Sequence, residues 1–290
     1  MSDLSPIPVP LRVHLAHATV QAVAEQCGAD VLHVKGPAAL GIRDLERHSS
    51  DADLLVRPSH LERLAAGLQA AGWEAVTGLP TGGLVEHSTN WYHGELGQLD
   101  LHIRFPGIRI PAEEAFDVLW AERSEVEIAH RPCVVPSQTA HRLILLLHAA
   151  RDLSQYHDEV AFVWGRASPE EQTRLRWLAR RLDAEVPLAA ALGELDDFRD
   201  RPDYRLWRLY AHGETTTTGI GRVLAEAQAA PSRGLTSTAR ILAYAWYIAT
   251  HMRRRLRIQL GRDPSTREVL DGYLLYLRRA FRRGSNLPES

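Results

Sequence analysis

Two aspartates separated by one residue, Asp51 and Asp53, open the stretch Asp51-Ala52-Asp53-Leu54-Leu55-Val56. On a β-strand, residues i and i+2 share a face, so both carboxylates emerge together while Ala52 and Leu54 turn into a core. Their Cα atoms would lie roughly 6.6 Å apart, and converging side chains can then hold divalent ions about 3.5 to 4 Å from each other, the spacing of two-metal phosphoryl-transfer sites. Two acids beside Leu54-Leu55-Val56 repel each other and are costly to bury without a cation, which argues against a merely solvated strand face. Magnesium with a polyphosphate suits such a spot. A second alternating stretch, Leu99-Asp100-Leu101-His102-Ile103-Arg104, places Asp100, His102 and Arg104 on one face and the three aliphatic residues on the other. A third carboxylate is therefore available. Upstream, Val34-Lys35-Gly36-Pro37 ends an apolar run and enters a helix, where backbone N–H groups can meet phosphate oxygens. Gly36 permits close approach, and Lys35 adds charge.

The elements that would hold these residues follow from periodicity and punctuation. Leu11 to Gln26 repeats apolar residues at helical spacing and stops at Gly28. Asp30 to Val34 reads as a strand, Pro37 to Leu45 as a brief helix, Asp51 to Arg57 as a strand, and Leu61 to Leu68 as a helix closed by Gly72. Strands are expected at Trp73–Thr77, Leu84–Tyr92 and Gln98–Phe105, the last two joined as a hairpin through His93-Gly94-Glu95-Leu96-Gly97. A further strand pair fits Val126–Ala129 and Cys133–Val135. From Ser137 onward helices take over, with Ser168-Pro169-Glu170-Glu171 reading as a capping box. Helices are expected at Thr139–Asp152, Leu188–Asp197, Tyr204–Ala211, Thr236–Leu260 and Ser265–Arg283. The fold class is α+β: a mixed sheet with flanking helices in residues 1–136, then an all-helical domain in residues 137–290.

The order strand-Lys-Gly-helix, then Arg47-His48-Ser49-Ser50-Asp51-Ala52-Asp53, then Asp100-Leu101-His102, resembles the nucleotidyltransferase (DNA polymerase β-like) superfamily. Within it the chain is similar to a branch of bacterial, largely uncharacterised nucleotidyltransferases with Lys-Gly in place of Gly-Gly or Gly-Ser. The resemblance covers about residues 10–165. It implies that Asp51 and Asp53 bind the metals and that Asp100 completes the catalytic metal site and helps activate the acceptor. It also implies that Gly36 forms the phosphate turn and that Lys35, Arg47, Ser50 and His102 belong to the nucleotide-binding set. Mg²⁺, or Mn²⁺ in its place, is the expected cofactor and an NTP the expected substrate, with a small molecule, protein or RNA as acceptor. Read from the residues alone, Arg47 could equally pair with Glu46 or Asp44, and His102 is an orienting group or a satisfied strand histidine rather than a general base. Two other functions stay open: a catalytically degenerate nucleotide-binding or toxin-antitoxin-like module, and a toxin that modifies tRNA.

Composition bounds the remainder. With 45% hydrophobic and 24% charged residues, the chain is an ordinary globular one. Its longest uncharged apolar run, Ile241 to Met252, is shorter than the roughly 20 residues that span a bilayer, so no membrane span is expected. The first residues lack the order of a secretory signal, and the cytoplasm is the expected compartment. Cys27 and Cys133 read as reduced core thiols. Residues 1–140 hold 10 cationic and 18 acidic side chains (10 − 18 = −8), and residues 141–290 hold 24 and 18 (24 − 18 = +6). The 34 Lys+Arg include a single lysine, Lys35, which is either a place where a compact ammonium suits better than a planar guanidinium or a chance surface lysine. The run Arg253-Arg254-Arg255-Leu256-Arg257 is either a solvated face or a seat for an anionic acceptor.

Overall fold

The computed structural model describes residues 7–42, 49–76, 87–151, 156–211, 252–253, 256–257, 260 and 262–282. Helix α1 (Val9–Cys27) starts behind Pro8, carries Pro10 in its first turn, where the missing N–H has no helical partner to lose, and ends at Gly28 in the left-handed conformation (φ 66°). Strand β1 (Val31–Val34) follows and is buried throughout. After a single 3₁₀ turn (Gly36–Ala39) come β2 (Asp51–Val56), α2 (Leu61–Ala70), the short β3 (Glu74–Ala75), β4 (Ser88–His93) and β5 (Gly97–His102). The helix expected from Pro37 to Leu45 is reduced to that 3₁₀ turn among the described residues, because Gly41 at φ 80° turns the chain away.

The five strands form one mixed sheet in the order β1-β2-β5-β4-β3. Strand β2 runs antiparallel to β1 and parallel to β5, and β4–β5 is the expected hairpin. Register decides which acids meet. Val34 stands opposite Asp53, and Asp53 stands opposite Asp100. On the other face, Ala52, Leu54, Leu99 and Leu101 pack against Val20 and Ala24 of α1 and Leu64 and Leu68 of α2. This apolar layer fixes the pleat, and with it the side on which the acids emerge.

Past the sheet, α3 (Ala112–Ala121) was not anticipated from the sequence, although Pro111 with Glu113 and Glu114 in the first turn is a helix-start signal. The ribbon β6 (Ser124–Ile128) and β7 (Arg131–Val135) matches the expected strand pair. Helices α4 (Gln138–Ala149), α5 (Tyr156–Val163), α6 (Pro169–Arg181), α7 (Glu185–Leu192) and α8 (Tyr204–Ala211) complete the described residues up to 211. Ser168 and Glu171 make the expected capping box. Gly193 at φ 74° stops α7, so the helix expected to reach Asp197 divides into α7 and a 3₁₀ turn. The last described helix, α9, is Thr266–Arg282, and most of the helix expected at Thr236–Leu260 lies outside the described residues.

One apolar cluster joins Leu32, Val34 and Leu55 of the acid-bearing face to Phe116 of α3, Leu143 to Leu147 of α4 and Trp207 of α8. The helices thus cover Leu32, Val34 and Leu55 of that face, beside the acids. Cys133 is buried, and its thiol is pushed up to about 11 by burial. No described helix is long and apolar enough to cross a membrane.

Candidate active site

At the end of β1 the chain turns through two consecutive residues with positive φ, Lys35 (φ 59°, ψ −176°) and Gly36 (φ 51°). The conformation of Lys35 is one that side chains other than glycine seldom adopt. It brings the ammonium to the acids: Lys35 Nζ lies 2.5 Å from Asp53 Oδ1. Asp53 is 4% exposed and Lys35 9%. The backbone N–H of Lys35 donates to His141 Nε2 at 3.3 Å, so a buried histidine of α4 holds the strained turn.

His102 sits between the two neighbouring strands' carboxylates. Its Nε2 lies 3.3 Å from Asp53 Oδ1 and 3.3 Å from Asp100 Oδ2, which places the ring proton on that nitrogen, shared by both acids. The imidazole is 4% exposed and stacks on His87, with ring centroids 5.9 Å apart. Ligand atoms of Asp53, Asp100 and His102 all lie within 4.8 Å of one another. Asp100 Oδ1 is buried with no hydrogen-bond partner among the described residues. Two carboxylates, one of them with an unsatisfied buried oxygen and both oriented by the His102 N–H, make a set that fits a divalent cation.

Asp51 stands one pleat away on the same face and outside that tight group. It accepts from Ser50 Oγ at 3.3 Å, and Ser49 Oγ, whose proton goes to the Asp51 carbonyl at 2.9 Å, lies 3.4 Å from the same carboxylate. Burial raises its carboxyl above the ordinary value, and the charge of Asp53 raises it further. Burial would raise Asp53 too, but the Lys35 ammonium and the His102 hydrogen bond override it and hold that carboxyl well below the carboxylate range. The two aspartates are therefore driven apart in acidity by Lys35 and His102, which act most strongly on Asp53. Gly36 lies against Ser49: a Cβ built on it would meet Ser49 Cβ at 3.2 Å. Arg47 lies outside the described residues.

The sequence anticipates a family of this kind, and comparison bears it out. The family model described as "Uncharacterised nucleotidyltransferase" matches residues 13–193, more than half of the chain. The chain belongs to this nucleotidyltransferase family. Similar solved structures include an antigenic nucleotidyltransferase-like protein from Paracoccidioides brasiliensis (16% identity, 63% of this chain and 93% of that one, TM-score 0.40). Another is the lincosamide antibiotic adenylyltransferase LnuA, bound to lincomycin (18% identity, 53% of this chain and 96% of that one, TM-score 0.37). A third is the antibiotic-resistance factor ANT(2'')-Ia (18% identity, 71% of this chain and 100% of that one, TM-score 0.36). No curated protein matches the chain.

Of the sequence-derived set, this nucleotidyltransferase brings Lys35, Asp53, Asp100 and His102 into contact and keeps Gly36, Ser50 and Asp51 beside them. His141 is not singled out by the sequence, because nothing local ties it to a turn 106 residues earlier. His17 and His33 were also missed. Their signal was polar residues inside an apolar stripe: His17 and Gln21 fall on the buried face of α1 with Val13, Val20 and Ala24. Of the arginine run, Arg253 donates to the Pro264 carbonyl at 3.2 Å and Arg257 pairs with Asp263 at 2.7 Å, while Arg254 and Arg255 lie outside the described residues.

Proposed function

We propose that this nucleotidyltransferase moves a nucleoside monophosphate from an NTP to a hydroxyl or phosphate of an acceptor and releases pyrophosphate. Asp51, Asp53 and Asp100 hold Mg²⁺ or Mn²⁺, with His102 bridging two of the three acids. When bound, the cation neutralises charge on the triphosphate and lowers the pKa of the acceptor hydroxyl. Gly36 and Lys35 receive the triphosphate, with Ser50 and Arg47 at its margin. Residues 1–136 form the catalytic domain, and residues 137–290 a helical domain that borders the acceptor. The observation that carries this reading is the parallel register of Asp53 with Asp100, which sets two carboxylates and His102 beside the Lys35-Gly36 turn.

Incubation with each α-labelled NTP, Mg²⁺ or Mn²⁺, and separate small-molecule and RNA acceptor pools tests it. Labelled acceptor together with released pyrophosphate, both lost with EDTA and in Asp100→Asn, is the expected result. The Lys35–Asp53 ion pair favours one rival, a nucleotide-binding module without transfer. NTP binding that needs no divalent cation, with no pyrophosphate from any pool, would establish that rival instead.

A further inference from the structure

The two polar residues on the buried face of α1 belong to a hydrogen-bonded chain with one consistent set of proton positions. The backbone N–H of Val134 donates to Gln21 Oε1 at 3.3 Å, which identifies that atom as the oxygen. His33 Nε2, 3.0 Å from the same oxygen, must then be its donor. A neutral His33 is left with a bare Nδ1, which accepts from His17 Nδ1 at 2.8 Å. His17 therefore keeps a bare Nε2.

That nitrogen is fully buried, has no hydrogen-bond partner among the described residues, and faces the phosphate turn, 3.8 Å from the place a Gly36 Cβ would occupy. A lone pair there repels phosphate oxygens and calls for a donor. Ser49 Oγ, on the same side of Gly36, already donates to the Asp51 carbonyl at 2.9 Å, and the Lys35 backbone N–H is committed to His141. The Lys35 ammonium carries three protons, and Asp53 does not use them all.

We propose that His17 is a positioning residue for Lys35: when a divalent cation takes the Asp53 carboxylate, the ammonium leaves it and is held by the bare Nε2 of His17 at the phosphate turn. This rests on the metal-site reading above. It assigns the relay Gln21–His33–His17 a purpose that core packing does not supply, since an apolar trio would need no aligned protons.

Lys35 is the sole lysine, so protein labelled with 15N-lysine gives one side-chain ammonium resonance, and 15N-histidine labelling reports the bare ring nitrogen, assigned through His17→Phe. Titration with MgCl₂ alone should move both resonances together, the His17 Nε2 signal shifting toward a hydrogen-bonded position. In His17→Phe the ammonium signal should start where it does in the wild type and end elsewhere, broadened. The inference is overturned if Mg²⁺ moves Lys35 while His17 Nε2 stays still, or if His17→Phe reaches the wild-type end point. Should Mg²⁺ give no heat of binding and move neither resonance, the metal-site reading falls and takes this inference with it. Binding heat with both resonances unmoved overturns this inference alone. Should His17→Phe not fold, His17→Gln supplies the assignment and the wild-type titration then decides the matter.

Discussion

Lys35 Nζ lies 2.5 Å from Asp53 Oδ1, and both side chains are almost entirely withdrawn from solvent. The ion pair separates two aspartates that the sequence presents as equals. Removing the Asp53 carboxylate leaves its buried ammonium partner uncompensated, whereas Asp51 suffers from its own burial and from the charge of Asp53. Asp53→Asn should therefore lose on the order of 3 kcal/mol of stability. Asp51→Asn, which relieves repulsion at nearly constant volume, should leave stability unchanged or raise it by less than about 1 kcal/mol. Both should abolish transfer. Urea unfolding at pH 7 measures the difference, and equal losses in the two variants would contradict the pairing.

The backbone of Lys35 offers a second test. A non-glycine residue at φ 59° and ψ −176° carries strain on the order of 1 to 3 kcal/mol. Lys35→Gly and Lys35→Ala both delete the ammonium, but only glycine relieves the turn. Lys35→Gly should be the more stable by about 1 kcal/mol or more in urea unfolding. Lys35→Arg keeps charge and strain yet brings a planar head to a position that is 9% exposed, and pyrophosphate release should fall sharply.

Gly36 is constrained twice, by φ 51° and by Ser49 Cβ at 3.2 Å from a built Cβ. Gly36→Ala should lose about 1 to 2 kcal/mol and weaken NTP binding more than it weakens the fold, because the displaced Ser49 also hydrogen-bonds the Asp51 carbonyl. Calorimetry of NTP binding beside thermal unfolding checks this. Unchanged NTP affinity in a folded variant would remove Gly36 from the site.

Local patterns made much of this site legible. Alternation placed Asp51 and Asp53 on one face and Asp100 with His102 on another, since a pleat needs no tertiary information. Which strands become neighbours is a long-range matter, and Val34 opposite Asp53 is what delivers Lys35 to an acid rather than to phosphate. Periodicity could not see that. The same holds for His141, His33 and His17, whose partners lie 106 and 16 residues away. The 3₁₀ turn at Gly36–Ala39 was read as a longer helix because Pro37 is a good start signal, while the stop, Gly41, carries no weight until its φ is known. The α3 helix was overlooked although its signals are local. Its place is fixed by Arg57 of the loop after β2, which meets Glu113 at 3.3 Å and Asp117 at 2.6 Å.

The histidine pair is expected to weaken the fold on the acid side. Burial lowers His17 to about 4, and burial with the neighbouring His17 holds His33 well below its usual value, whereas both titrate near 6.5 in an unfolded chain. As pH falls below 6.5, the unfolded chain takes up protons that the folded one refuses, so stability is complete above that value and declines toward pH 4. His17 alone contributes about 3 kcal/mol to this decline, from 6.5 down to about 4. Asp53, held below the carboxylate range, adds a loss of the same sign only under the ordinary aspartate value. Asp51, held above it, gains stability as pH falls, and so opposes part of the decline. The net expectation is a fall in urea midpoint between pH 7 and 4.5 that is shallower in His17→Phe, where one of the two refusing imidazoles is gone. A wild-type midpoint that is flat across this window, or a slope that His17→Phe leaves untouched, would mean that His17 is not held neutral in the fold.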